Sequence, residues 1–136
     1  MKRVIGIGGI FFKCKDPKAI NAWYKEHLGF KVNEYGSLFQ GREYDEPEKE
    51  TLLQWAPFKA DTDYFEPSEK PYMFNYRVEN LEGLLPVLKA EGVEVVGEMQ
   101  SFPYGKFAHI MDPEGNKIEL WEPINEGLQG ELEGQG

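Results

Sequence analysis

His109 and Glu119 are of the types, and at the spacing, from which acid–base chemistry is built. They flank Asp112-Pro113-Glu114-Gly115-Asn116, whose proline, glycine and asparagine mark a tight hairpin loop. With that loop closing the hairpin, Met111 faces Lys117, Ile110 faces Ile118 and His109 faces Glu119. The register gathers Ala108, Ile110, Ile118 and Leu120 on an apolar side and leaves His109 and Glu119 as cross-strand partners on the other. A carboxylate beside an imidazole fixes the ring tautomer and raises its basicity, which suits the pair to proton transfer near neutrality. The same pair also serves as a structural device that satisfies two buried polar groups. A loop one residue shorter would turn His109 away from Glu119.

Other chemistries lack their residues. Cys14 is the single cysteine, so no internal disulfide forms, and a Cys/His zinc site would have only His27 and His109 to add. Cys14 reads as an inert core thiol and His27 as a helix-end residue. No Ser/His/Asp, CxxC, P-loop or HExxH pattern is present, and Gly6-x-Gly8-Gly9 has neither the preceding strand nor the third glycine of a dinucleotide fingerprint. Fifteen basic against twenty-four acidic residues give a net charge of −9. That sign repels phosphate backbones and anionic lipid, which argues against nucleic-acid and membrane partners. The run from Val4 to Phe12 is broken by glycines, closed by Lys13-Cys14-Lys15 and too short to span a bilayer. It reads as a buried strand of a cytoplasmic protein.

The elements that position these residues show by period. Asp16 caps a helix that has Pro17 in its first turn, Ile20, Trp23, Tyr24, His27 and Leu28 on one face, and Gly29 as its stop. Asn80 caps a second, with Leu81, Leu84, Leu85 and Leu88 as its stripe, Gly92 at its end and Pro86 inside, where it should kink or weaken the helix. Strands are expected over residues 5–14, 30–35, 37–40, 51–58, 72–78, 93–99, 106–111 and 117–122. Each half then reads strand, helix, strand, strand, strand, an α+β arrangement with helices on one side of each sheet. Glu43 to Glu50 reads as a solvated charged loop.

The halves also match each other. At an offset of 64, Ile10, Phe12, Cys14 and Asp16 fall on Phe74, Tyr76, Val78 and Asn80. At an offset of 66, Leu52 to Pro57 falls on Ile118 to Pro123, so that a Trp-x-Pro ends a strand in each half. The 136 residues form one domain: a first module over about 4–58, a linker over about 59–71, a second module over about 72–123, and a mobile tail over 124–136.

A duplicated module of this order closing on Asp112-Pro113-Glu114-Gly115-Asn116-Lys117-Ile118-Glu119-Leu120 resembles the vicinal oxygen chelate superfamily of glyoxalases, bleomycin-resistance proteins and dioxygenases. Trp23-Tyr24 through Leu28-Gly29-Phe30 is a second matching signature. The resemblance implies two βαβββ modules curled into a cupped mixed sheet, helices outside, and a divalent metal held by the first and last strands of each module. Carried onto this chain, those positions fall at Gly9, Leu53, Met73 and Glu119. Only Glu119 is a competent ligand, so no metal cofactor is expected. A shift of one residue would offer Gln54 for Leu53 and still leave two ligands.

Strand parity sends Phe11, Lys13, Met73, Asn75 and Arg77 toward the cup, with Leu53, Trp55, Phe107, Glu119 and Trp121, giving aromatic walls and a few polar groups. Lys13 and Arg77 are equivalents at offset 64 and could hold an anionic ligand group, or each could pair with a neighbour such as Asp16 or Glu79. Tyr64-Phe65 and the aromatic segment from Phe102 to Gly105 could cap the cup or form a subunit contact. The reading is a metal-free binder of a small organic ligand, anionic or aromatic, with proton transfer by His109 and Glu119, and a homodimer by resemblance. Its alternatives are a metal-dependent lyase or isomerase of the lactoylglutathione lyase type or a dioxygenase, which would require a divalent metal, and a non-enzymatic protein-interaction domain.

Overall fold

Alternation and caps build the elements largely where the sequence places them. The computed structural model describes residues 2–124, and the tail expected beyond them lies outside the described residues. In chain order the elements are β1 (Val4–Cys14), α1 (Pro17–Leu28), β2 (Ser37–Arg42), β3 (Glu50–Lys59), β4 (Tyr72–Val78), α2 (Leu81–Ala90), β5 (Val95–Phe102), β6 (Gly105–Met111) and β7 (Lys117–Pro123). The Asp16 carboxylate accepts from the Ala19 amide and the Asn80 side chain from the Gly83 amide, each filling an orphan donor of a first turn. Gly29 closes α1 in the left-handed region at φ 71°, a conformation that glycine adopts without steric cost. Helix α2 continues through Pro86, held by the buried Leu81, Leu84, Leu85 and Leu88.

The strands form one mixed sheet in the order β2-β3-β1-β4-β7-β6-β5. The first strands of the two modules, β1 and β4, pair antiparallel at its centre, and each is flanked by the last strand of its own module in parallel, β3 and β7. Both modules therefore join within one chain. Leu81, Leu84, Leu85 and Leu88 bury against Val78, Ala108 and Leu120 on one face of the sheet. On the same face Trp55 packs with Tyr24 of α1, Phe12 and Phe30 at 4.6–5.3 Å between ring centroids. The opposite face is the cup. Among the described residues no helix is long and apolar enough to cross a membrane.

Residues 30–35 depart from expectation, because they form no sheet strand. Asn33 and Gly36 close a tight turn, the Ser37 hydroxyl donates to the Lys31 carbonyl at 2.8 Å, and Phe30 packs on Tyr24, Phe39 and Trp55. Turn bonds and side chains, not a ladder, satisfy this segment, so β2 is the sheet edge and the first module has one strand fewer than the second.

Candidate functional site

The β6–β7 hairpin sets the chemistry. The Asp112 carboxylate accepts from the Glu114 and Asn116 amides at 2.9 Å and from the Asn116 side chain at 2.8 Å, which closes the loop. Those bonds hold the Asp112 carboxyl below the usual carboxylate range. The ladder that follows pairs Met111 with Lys117, Ile110 with Ile118 and His109 with Glu119. Glu119 in turn pairs with Asn75, Asn75 with Gly9, and Gly9 with Gln54. A single row thus crosses five strands of the cup: Gln54, Gly9, Asn75, Glu119, His109.

Glu119 is 2% exposed and carries three donors. Asn75 Nδ2 donates to its Oε1 at 2.7 Å, while Tyr64 Oη and His109 Nε2, the latter at 2.9 Å, share Oε2. A carboxylate that accepts several hydrogen bonds is held in place and offset for its burial. Since that carboxylate only accepts, it also orients the Asn75 amide: Nδ2 must face Glu119, and Oδ1 turns toward Gly8 with no hydrogen-bond partner among the described residues.

Tyr64 comes from the linker between the modules, which folds across the cup. Phe65, fully buried, fills one end of the cup against Phe11, Ala56 and Met73. The Tyr64 ring stacks on Phe58 at 5.7 Å and meets His109 edge-on at 5.5 Å. Burial, and then the Glu119 charge and hydrogen bond, push the Tyr64 hydroxyl well above the usual tyrosine range, so it remains a proton donor. Lys117 pins the linker by donating to the Tyr64 carbonyl at 2.7 Å and lying 5.3 Å from the Tyr64 ring centroid. Burial lowers the Lys117 ammonium from its usual range, against the raising pull of Glu119, Asp63 and Glu66.

What remains open is a cleft of about 980 Å³. Phe11, Phe58, Tyr64, Tyr104, Phe107 and Trp121 supply aromatic wall, with Phe107 and Trp121 stacked at 6.0 Å. Gly8, Gln54, Asn75 and Glu119 supply the floor. His109 sits behind Glu119 and does not line the cleft, although its side chain is 12% exposed.

Several residues stand elsewhere than expected. Trp55 and Leu53 lie on the helix face, because Ile10 pairs with Trp55 and Gly9 with Gln54; the cup-facing residues of β3 are Leu52, Gln54, Ala56 and Phe58. The matched Trp-x-Pro segments therefore present opposite faces. Met73 is 1% exposed and covered by Phe65. Lys13 and Arg77 do not converge, since antiparallel pairing of β1 with β4 puts them at opposite ends of the cup. Lys13 lies 5.6 Å from the Phe65 ring centroid, and Arg77 is buried against Glu43 of the β2–β3 loop. Glu43, read as part of a solvated loop, is thus the partner of a buried cation. Sequence reasoning gives no chemical signal for Lys117, and for Tyr64 only the aromatic pair Tyr64-Phe65 in an otherwise polar linker.

The row reshapes the four positions that the family resemblance marks. Gln54 stands to Gly9 as Glu119 stands to Asn75, so Gln54 and not Leu53 is the counterpart of Glu119. Its amide nitrogen donates to the Ser37 and Trp55 carbonyls at 3.2 and 3.1 Å. Gly8 and Gly9 lie where β1 bulges opposite Asn75. The sequence matches the Glyoxalase/Bleomycin resistance protein/Dioxygenase superfamily over residues 6–120. The chain belongs to this superfamily. No curated protein matches it in sequence. Among solved structures it is similar to methylmalonyl-CoA epimerase from Streptomyces coelicolor in complex with 2-nitronate-propionyl-CoA, with a TM-score of 0.66, 13% identity and coverage of 89% of this chain and 99% of that one. Methylmalonyl-CoA epimerase from Mycobacterium tuberculosis gives a TM-score of 0.57 and 19% identity, with 91% of each chain covered. The Mn(II)-bound glyoxalase from Novosphingobium aromaticivorans gives 0.55 and 18%, covering 90% of this chain and 40% of that one. At these identities the likeness is one of fold, and the superfamily's cupped sheet is the feature in common.

Proposed function

We propose that this superfamily member binds a small aromatic molecule in its cup without a divalent metal, and that Glu119 acts on it as the proton-transfer group. The observation that carries the reading is the Glu119 carboxylate, already holding three donors on the floor of an aromatic cleft. The residues at the family's metal positions do not fit an ion: a glycine, an amide whose nitrogen is spent on backbone carbonyls, a thioether under Phe65, and this one carboxylate. A divalent ion would compete for Glu119 with the donors that it already holds, Tyr64, His109 and Asn75.

Tyr64 and Glu119 both face the cleft, so a ligand proton passes to the carboxylate as the Tyr64 hydroxyl gives way. His109 is then a positioning residue that holds the carboxylate from behind, not the group that meets the ligand. Lys13 and Arg77 stand apart, beside Phe65 and Glu43, so the reading takes the ligand as aromatic and not as anionic. A homodimer is proposed on the family resemblance, with the exposed Ile7, Ile10 and Phe74 on the helix side of the central strands as the surface that a second copy would cover.

Elemental analysis of protein purified without chelator tests the reading, together with calorimetric titration of Zn, Ni, Mn and Fe ions. The expected result is no stoichiometric metal and no ion binding that depends on Glu119. Stoichiometric metal lost in Glu119→Gln would overturn it and favour the metal-dependent lyase or isomerase. For the proton step, the expected signature is deuterium uptake from solvent into a cleft-bound ligand, abolished by Glu119→Gln and slowed with a changed pH profile by His109→Asn.

A further inference from the structure

From the placement of Tyr64 we infer a second catalytic residue and the ligand class that it fits. The ligand is an aromatic carbonyl compound with a hydrogen on the carbon beside the carbonyl, and its oxygen takes the Tyr64 hydroxyl as that hydrogen leaves for Glu119. This rests on the proton-transfer reading above and deepens it. Of the three donors on Glu119, one stands open to a ligand. Asn75 is 2% exposed and His109 does not line the cleft, whereas Tyr64 lines it and is 37% exposed. Its hydroxyl sits on Oε2, the oxygen that it shares with His109. The linker holds it there: the Tyr64 carbonyl accepts from Lys117 at 2.7 Å, and the ring stacks on Phe58.

While Glu119 is ionised it offers no donor, so the hydroxyl hydrogen must point at Oε2. A carboxyl that has taken a proton donates, and a phenol accepts one hydrogen bond while it donates another. Protonated Glu119 therefore donates to Tyr64 Oη, and the hydroxyl hydrogen turns to an acceptor in the cleft. The negative charge has meanwhile moved to the ligand. The C–H bond breaks, its electron pair forms a C=C bond, and the carbonyl π pair goes to oxygen as an enolate. Tyr64 thus donates to whichever oxygen holds the charge, with its heavy atoms in place. A fixed donor beside aromatic walls is worth more to that oxygen than water is. Return of the proton to carbon reverses the step, so no co-reactant is consumed.

Deuterium uptake into the methyl group of methyl naphthyl ketone, followed by proton magnetic resonance with the full chain in heavy water, tests the inference. The parent protein should exchange these hydrogens faster than buffer does, and Glu119→Gln should return them to the buffer rate. Tyr64→Phe should slow exchange at saturating ketone about a hundredfold, the order of loss for one oxyanion donor. Its affinity for the ketone should stay within about twofold, because before proton transfer the hydroxyl serves Glu119 and not the ligand. The sign of the rate change separates this role from a merely structural one, since a carboxylate that loses a hydrogen bond becomes more basic. Exchange by Tyr64→Phe at or above the parent rate would overturn the Tyr64 role and leave the Glu119 reading standing. A loss confined to ketone affinity would assign Tyr64 to the shape of the cup and would also overturn it. A ketone that fails to bind, gains no deuterium, or gains it equally in Glu119→Gln would overturn both.

Discussion

The two modules share a backbone plan and differ in what they turn toward the cup. On the second module's side, β4, β6 and β7 deliver Asn75, His109, Lys117 and Glu119, four groups joined through hydrogen bonds and the Tyr64 strap. On the first module's side, β1 and β3 deliver two glycines, Phe11, Leu52, Gln54 and Ala56 to the middle of the cup, and the ionisable groups Lys13 and Lys59 stand toward its ends. A duplicated fold is kept by apolar alternation on the helix face and by caps and turns, none of which constrains the other face. The cup was therefore free to become polar on one side and largely apolar on the other. Glu119→Leu against Gln54→Leu tests this division most strongly. The first strands three buried donors and should cost about 3–5 kcal/mol in denaturant unfolding. The second, at a half-buried amide bonded to backbone, should cost about 1 kcal/mol. Equal losses would mean that the modules share the site's energetics.

Gly8→Ala sharpens the first module's side. Its new methyl would lie within 2.8 Å of Asn75, Arg77 and Trp121, and the overpacking should cost about 1–3 kcal/mol. Gly8 also lines the cleft, so the shift of Asn75 or Trp121 that the methyl forces should lower affinity for a cleft ligand as measured by titration. Normal affinity would place the ligand elsewhere in the cleft. On the polar side, Tyr64→Phe keeps the stack on Phe58 but removes one donor from Glu119. The expected loss is about 1–2 kcal/mol, with faster amide exchange confined to the linker. Unchanged exchange there would show that Phe65 and Lys117 suffice to hold the strap.

Much of this arrangement was legible in the chain because its causes are local. A five-residue loop with its own side-chain bonds sets the His109–Glu119 register, and caps at Asp16 and Asn80 set both helices. The face of β3 was misread because it followed from matching Trp55 with Trp121 at an offset of 66. The cup row relates Gln54 to Glu119 at an offset of 65, and a shift of one residue reverses every side chain in a strand. Residues 30–35 carry strand-like alternation, yet the Asn33–Gly36 turn and the aromatic pocket around Phe30 satisfy them without a ladder. The Tyr64–Glu119 and Arg77–Glu43 pairs join residues 55 and 34 positions apart, and only the closed sheet brings them together.

The smallest expected effect belongs to the loop that sets the register. Asp112 is held below its unfolded range by bonds from Asn116 and Glu114, so the folded state favours its ionised form. Its contribution to stability is therefore complete above the unfolded carboxylate range, about pH 4. It declines as pH falls through the lower folded value, where the carboxylate takes up its proton in the native state too. Asp112→Ala should lower the melting temperature slightly at pH 7, and the gap from the parent protein should narrow as the pH is taken down toward 3. A gap that stays constant across that range would assign the loss to loop geometry and not to the charge. In that case the His109–Glu119 register would rest on the Gly115 turn and the apolar pairs Ile110–Ile118 and Ala108–Leu120 alone.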